Sequence, residues 1–246
     1  MKYASFLLAL VLTSPVVAKD LLIVGQEYPP FNWNEGGEVK GGMLEVMKKA
    51  CERLQYNCKF SIVPLPRAMQ MLEEGSADGV MSLVPTPDRT RFSNFSPTIV
   101  VSNLSYFGVK GKVRKMDNLK DLEGWTVGTV RGSASFKLAV EHQRQIKNMN
   151  LVEENNNETV IKKLQGDRYG AKGAIIGGDA VLSYEAKKVH LELEPLLAGL
   201  PQAFVTAFSK KSVDAATLAE LTNTLNDMKK SGEMKSILDK FSLKSD

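Results

Sequence analysis

The chain has 246 residues, 43% hydrophobic and 24% charged, values ordinary for a globular protein that folds. Its formal net charge of +4 is small, and the lysines are spread along the chain rather than clustered between aromatics. That argues against nucleic acid as the main partner.

In chain order, Lys2, an apolar run over residues 4–12 and the small-residue end Val16-Val17-Ala18 read as a cleavable export signal over residues 1–18. A membrane anchor is the alternative, but Thr13, Ser14 and Pro15 break the run short of the roughly 20 residues that span a bilayer. The mature chain is expected to begin at Lys19, and no cysteine stands there to accept a lipid. A soluble periplasmic product is expected. The remaining length suits one large domain or two lobes of about 100 residues each. Export places Cys51 and Cys58 in an oxidising compartment, which favours a short-range disulfide. Metal binding is the weaker alternative, because His142 and His190 lie far away in sequence.

From Leu21 short apolar runs alternate with amphipathic stretches, the pattern of parallel sheets with crossover helices. Residues 21–24 predict a strand, followed by the stiff turn Tyr28-Pro29-Pro30-Phe31-Asn32-Trp33. Met43, Leu44, Met47, Ala50 and Leu54 have helical spacing, and residues 59–63 return to strand. A helix through Ala68 and Leu72 stops at Gly75, and residues 79–83 form a third strand. A second set is expected after Lys110-Gly111-Lys112: strand 125–130 ending in Arg131-Gly132-Ser133, helix 135–143, a short strand 149–152, helix 158–164 capped by the preceding asparagines, strand 174–176 and helix 179–187. A strand over 203–208 and two helices, 215–230 and 233–240, close the chain. Those helices need an apolar face to cover, so the chain is expected to cross back onto the first lobe.

Several motifs in this order resemble those of the extracellular solute-binding proteins of family 3, the polar amino-acid receptors of ABC importers: Tyr28-Pro29-Pro30-Phe31, Glu74-Gly75-Ser76-Ala77-Asp78-Gly79, Thr86-Pro87-Asp88-Arg89 before Phe95-Ser96-Pro97, and Val127-Gly128 before Gly132-Ser133. The Cys51 to Cys58 spacing is also similar to that of a bridge in members of this family. The resemblance implies an α/β, two-lobed periplasmic-binding-protein (type II) fold with two crossing hinge strands, and a solute held by hinge closure. By the same likeness lobe 1 spans residues 19–109 plus 206–246, lobe 2 spans residues 110–205, and the crossings fall near 109–112 and 203–206. An inner-membrane ABC permease is the implied partner, the chain acting as a monomer with no cofactor and no metal.

Binding a small carboxylate takes a cation, and the planar fork of arginine makes two parallel charge-assisted hydrogen bonds to it. Arg89 matches the family's carboxylate-binding arginine. Ser82 and Thr86, just upstream, are candidates to offer hydroxyls or amides to the same group. Ser133 opens a helix whose free amides favour an anion, although ordinary capping is equally open. Tyr28 and Phe31 are candidates to stack on the solute, or else pack the proline turn. Amino-acid receptors of this family place an aspartate for the ligand ammonium where Gly178 stands here, with Asp179 one residue later. If Asp179 only caps its helix, another carboxylate is the expected ligand. Arg67 and Arg131 would add positive charge to the cleft, with surface exposure as the plainer alternative.

Two other functions share this scaffold. A dehydratase-like periplasmic enzyme needs an acid or base in the cleft, and Glu27 is the only carboxylate beside the aromatic turn. A sensing module would signal to a membrane partner instead of feeding a permease. Binding is preferred, since no histidine falls in a cleft motif and no HExxH or nucleophile-elbow pattern appears.

Overall fold

The structure, a computed structural model, describes residues 19–245; the expected export signal lies outside the described residues. The chain opens with β1 (Asp20–Gly25), a hairpin of β2 (Trp33–Glu35) and β3 (Glu38–Lys40), helix α1 (Gly42–Leu54), β4 (Asn57–Ile62), α2 (Leu65–Glu74) and β5 (Gly79–Leu83). β4, β1 and β5 pair in parallel in that order. Every residue of β5 is buried, as a strand covered on both faces requires. The disulfide Cys51–Cys58 ties the last turn of α1 to β4.

After β6 (Ser93–Phe95) and the ten-residue β7 (Val100–Val109), a second group of elements follows: β8 (Thr126–Val130), α3 (Ala134–Gln143), β9 (Asn150–Glu154), α4 (Asn157–Gln165), β10 (Gly173–Gly178), α5 (Asp179–Lys188) and β11 (Leu193–Pro195). β10, β8 and β9 form a second parallel array, with β7 antiparallel to β10. β12 (Leu200–Ser209), α6 (Ala215–Lys230) and α7 (Glu233–Asp239) end the chain. Leu221, Leu225 and Met228 of α6, and Met234 and Leu238 of α7, share one buried cluster with Met43, Leu44 and Met47 of α1. The apolar stripes of all three helices are thereby removed from water, the dominant favourable term in folding. Among the described residues no helix is long and apolar enough to cross a membrane.

β12 belongs to both sheets. Residues 200–204 pair with β7, while residues 205–209 pair with β5 and β6. The chain therefore passes from the second sheet to the first at Phe204 and Val205. The first crossing differs from expectation. Val109 pairs with Leu193, and Lys110 donates to the Glu192 carbonyl, so residues 109–112 follow the end of β7 that is remote from its pairing with Phe204. Tyr106 and Phe107 sit in the second lobe's buried clusters. The chain leaves the first sheet earlier, between Phe95 and Val100, where the Ser96 amide donates to the Thr206 carbonyl and the Thr206 amide donates to Ser96 Oγ. The break at Lys110-Gly111-Lys112 falls at the end of β7. By pairing, β1, β4, β5, β6 and residues 205–209 form the first sheet and β7 to β11 with residues 200–204 the second.

Candidate ligand cleft

In sheets of parallel strands, ligands collect in the crevice beyond the carboxyl ends of the strands. Here those ends are residues 25–28 after β1, 83–89 after β5, 130–133 after β8 and 178–179 after β10. The two sets meet at Tyr28 and Gly178: a methyl group added at Gly178 would lie 3.3 Å from the Tyr28 hydroxyl oxygen.

Tyr28 is set by its turn. Its amide donates to the Asn32 carbonyl (2.8 Å), its carbonyl accepts from the Phe31 amide (2.9 Å), and the Pro29–Pro30 peptide is cis. The Tyr28 ring lies 5.0 Å from Phe31 and 6.1 Å from Phe204. Burial pushes its phenol up to about 12. Phe31 is fully buried and packs on Phe204 at 4.6 Å. It is thus a core residue beneath Tyr28 and not a wall of the cleft, a correction to the expected stacking role.

Ser82 also turns inward. Its φ of 60° places it in the left-handed region, beside the register shift where β12 passes β5. Its hydroxyl donates to Asn32 Oδ1, and Asn32 Nδ2 donates to the Gln26 carbonyl (2.6 Å). Asn32 is fully buried and clamps the ends of β1 and β5 together. The expected hydroxyl contact from Ser82 to a solute is therefore replaced by a structural one. Sequence reasoning missed Asn32, although its place directly after the proline turn was a usable signal.

Arg89 is built differently from the other basic candidates. The Thr86 carbonyl accepts the amides of Arg89 (3.1 Å) and Thr90 (3.3 Å), and this turn brings Arg89 Nη1 back to donate to the Val84 carbonyl. The side chain is half-buried, and burial lowers its pKa. Among the described residues no carboxylate pairs with it. Arg67, by contrast, is exposed on α2 and donates to Gln70 (3.1 Å). Arg131 is exposed and paired with Glu153 at 3.0 Å. Neither adds uncompensated buried charge to the cleft.

Ser133 caps α3, its Oγ accepting from the Phe136 amide (3.0 Å) and lying 2.7 Å from Ser135 Oγ. Among the described residues the amides of Ala134 and Ser135 have no hydrogen-bond acceptor, so the start of α3 retains its affinity for an anion. Asp179 occupies the first turn of α5 and accepts from Asn103 Nδ2 (3.1 Å). Its carboxylate is engaged with β7, so the expected substitute for an ammonium-binding aspartate at Gly178 is directed elsewhere. Glu27 is exposed and accepts from the Asn34 amide at 3.1 Å.

The sequence profile of "Bacterial extracellular solute-binding proteins, family 3" matches residues 22–244. No curated protein sequence matches the chain. Among solved structures, the chain is similar to a histidine kinase sensor domain with similarity to periplasmic binding proteins, at 19% identity and a TM-score of 0.75, covering 93% of this chain and 99% of that one. It is also similar to substrate binding domain 2 of Lactococcus lactis GlnP in an open conformation, at 21% identity and a TM-score of 0.73, covering 95% and 98%. A third likeness is to the ancestral amino acid-binding protein AncCDT-1, a precursor of cyclohexadienyl dehydratase, at 21% identity and a TM-score of 0.74, covering 90% and 94%. At these identities the likenesses establish the two-lobed fold.

Proposed function

This chain belongs to the bacterial extracellular solute-binding proteins, family 3, and from that premise we propose that it captures a small carboxylate between its lobes outside the cytoplasm and hands it to an ABC permease. The observation that carries this reading is the half-buried Arg89 guanidinium, which no carboxylate among the described residues neutralises. Burying a charge without a partner is costly, and a ligand carboxylate supplies the missing partner through a two-pronged contact. Tyr28 and the free amides at the start of α3 complete the clamp from the two lobes.

The solute is a carboxylate that needs no anion for an α-ammonium. Gly178 faces the Tyr28 hydroxyl and Asp179 is turned to Asn103, so neither offers a counter-charge beside Arg89. A neutral hydroxyl or carbonyl on the solute fits against the Tyr28 hydroxyl. The position of Glu27 on Asn34 favours binding over acid–base chemistry.

The test is a thermal-shift panel of hydroxy-, keto- and amino-carboxylates. A ligand that binds only the folded state, present at about 100 times its dissociation constant, stabilises by about 2.7 kcal/mol. Arg89→Ala is expected to weaken the best hit by about 2–5 kcal/mol while the unliganded protein unfolds at nearly the same temperature, because the lost Val84 hydrogen bond is offset by removing an unpaired charge. An unchanged shift in the variant removes Arg89 from the clamp. Mass spectrometry of the recovered hit distinguishes receptor from enzyme: an unaltered mass is expected.

A further inference from the structure

Helix α5 packs on two sides. Leu182 and Ala186 join the second lobe's buried cluster with Phe107 and Ile175. Val181 and Tyr184, with the N-cap Gly178, recur at a spacing of three, which puts them on one side of the helix. That side meets the first lobe. Gly178 faces the Tyr28 hydroxyl, Val181 is buried in the cluster that holds Phe31, Met43 and Met47, and the Tyr184 ring lies 5.7 Å from Trp33 of β2, at 50°. Each ring is braced from its own side. Phe241 meets Trp33 edge-on at 6.3 Å and 77°. Lys188 Nζ stands 5.7 Å from the centre of the Tyr184 ring and is held there by Glu185 at 2.9 Å.

Turning the lobes away from one another would return Val181 and the two rings to water, and removing apolar surface from water is favourable. We propose that this side of α5 is a clasp that favours the closed arrangement, Tyr28 against Gly178, in the ligand-free protein. Val181 and Tyr184 thereby set the affinity of the cleft without touching its occupant. The rule behind this is that an apparent dissociation constant equals the intrinsic one divided by the fraction of protein already in the binding-competent arrangement. Only this link to affinity rests on the function proposed above; the clasp itself does not.

Nitroxide labels attached through Glu73→Cys on α2 and Lys137→Cys on α3, both exposed positions, report the distance between the lobes by electron spin resonance. Cys51 and Cys58 stay unlabelled in their disulfide. In the ligand-free protein the main population is expected at the separation of this structure. Tyr184→Ala is expected to lower the ratio of that population to longer separations by about three- to tenfold. Val181→Ala should act in the same direction, and Tyr184→Phe, which keeps the ring, should leave the distribution as it was. For a carboxylate hit from the thermal-shift panel, affinity measured by calorimetry is expected to fall by the same factor as the closed fraction. A distribution indifferent to Tyr184→Ala and Val181→Ala overturns the proposal. So does a shift to shorter separations, which would make the contact a strut that keeps the lobes apart, or an affinity that stays put while the closed fraction drops. A panel with no hit refutes the function proposed above and leaves the clasp to be judged on the distances.

Discussion

Replacing Phe31 with alanine separates a core residue from a ligand wall. The ring is fully buried, 4.6 Å from Phe204 and 5.0 Å from Tyr28. Its removal forfeits the transfer free energy of a buried aromatic side chain and leaves a cavity penalised at about 24 cal/mol per Å³, together about 3–5 kcal/mol. Against a total stability of about 5–15 kcal/mol that loss is large. For a chain of this size it lowers the melting temperature by about 6–20 °C. Urea unfolding of the ligand-free protein, followed by circular dichroism, measures it directly, with Phe31→Leu, which removes less volume, expected to cost less than Phe31→Ala. A residue serving only to stack on a solute would behave in the opposite way, with ligand-free stability moving by no more than about 0.5 kcal/mol and affinity falling. That second pattern would refute the assignment of Phe31 to the core.

Two further outcomes are expected. Replacing both Cys51 and Cys58 by serine releases a loop of sequence separation 7 and should lower stability by about 2–3 kcal/mol on the chain-entropy account, measured by urea unfolding with the wild type under non-reducing conditions; no loss would make the bridge dispensable. Burial lowers the His142 pKa below its ordinary 6.5, so the fold prefers the neutral ring, whose Nδ1 lies 2.9 Å from the Tyr106 hydroxyl. The stability this contributes is present above about 6.5 and lost as pH falls through the folded value. The His142 ring resonances should therefore titrate below 6.5, and His142→Gln should flatten the acid side of the stability profile; titration at or above 6.5 contradicts this.

The elements that were legible are those whose burial has a simple period. The apolar runs of β1, β5 and β10 and the stripes of α1, α6 and α7 announce themselves because each faces one core. β7 was not legible. Its Ser102, Ser105 and Asn103 break the apolar pattern because the strand passes the start of α5, where Ser102 accepts from the Ala180 amide (3.3 Å) and Asn103 binds Asp179. The β2–β3 hairpin was overlooked even though Gly36 and Gly37, with φ of 64° and 90°, are a recognisable two-residue turn between strands. In the site, the motif singled out Arg89, yet nothing in it reveals that Ser82 rotates onto Asn32 or that Asp179 faces β7. Those orientations follow from a left-handed backbone at residue 82 and from the helix register at residue 179, both set by tertiary contacts rather than local sequence.

Since Val100 and Phe204 are ladder partners, the two ends of the second lobe leave the first only one rung apart, about 5 Å between α-carbons. The whole of residues 101–203 is thus a graft whose scars are adjacent, so excising it and joining the stumps with a tight turn spans no distance that the remaining sheet does not already bridge. The first lobe has its own helices, but Val181 of the excised segment shares its buried cluster, so the excision would also open one side of that interior.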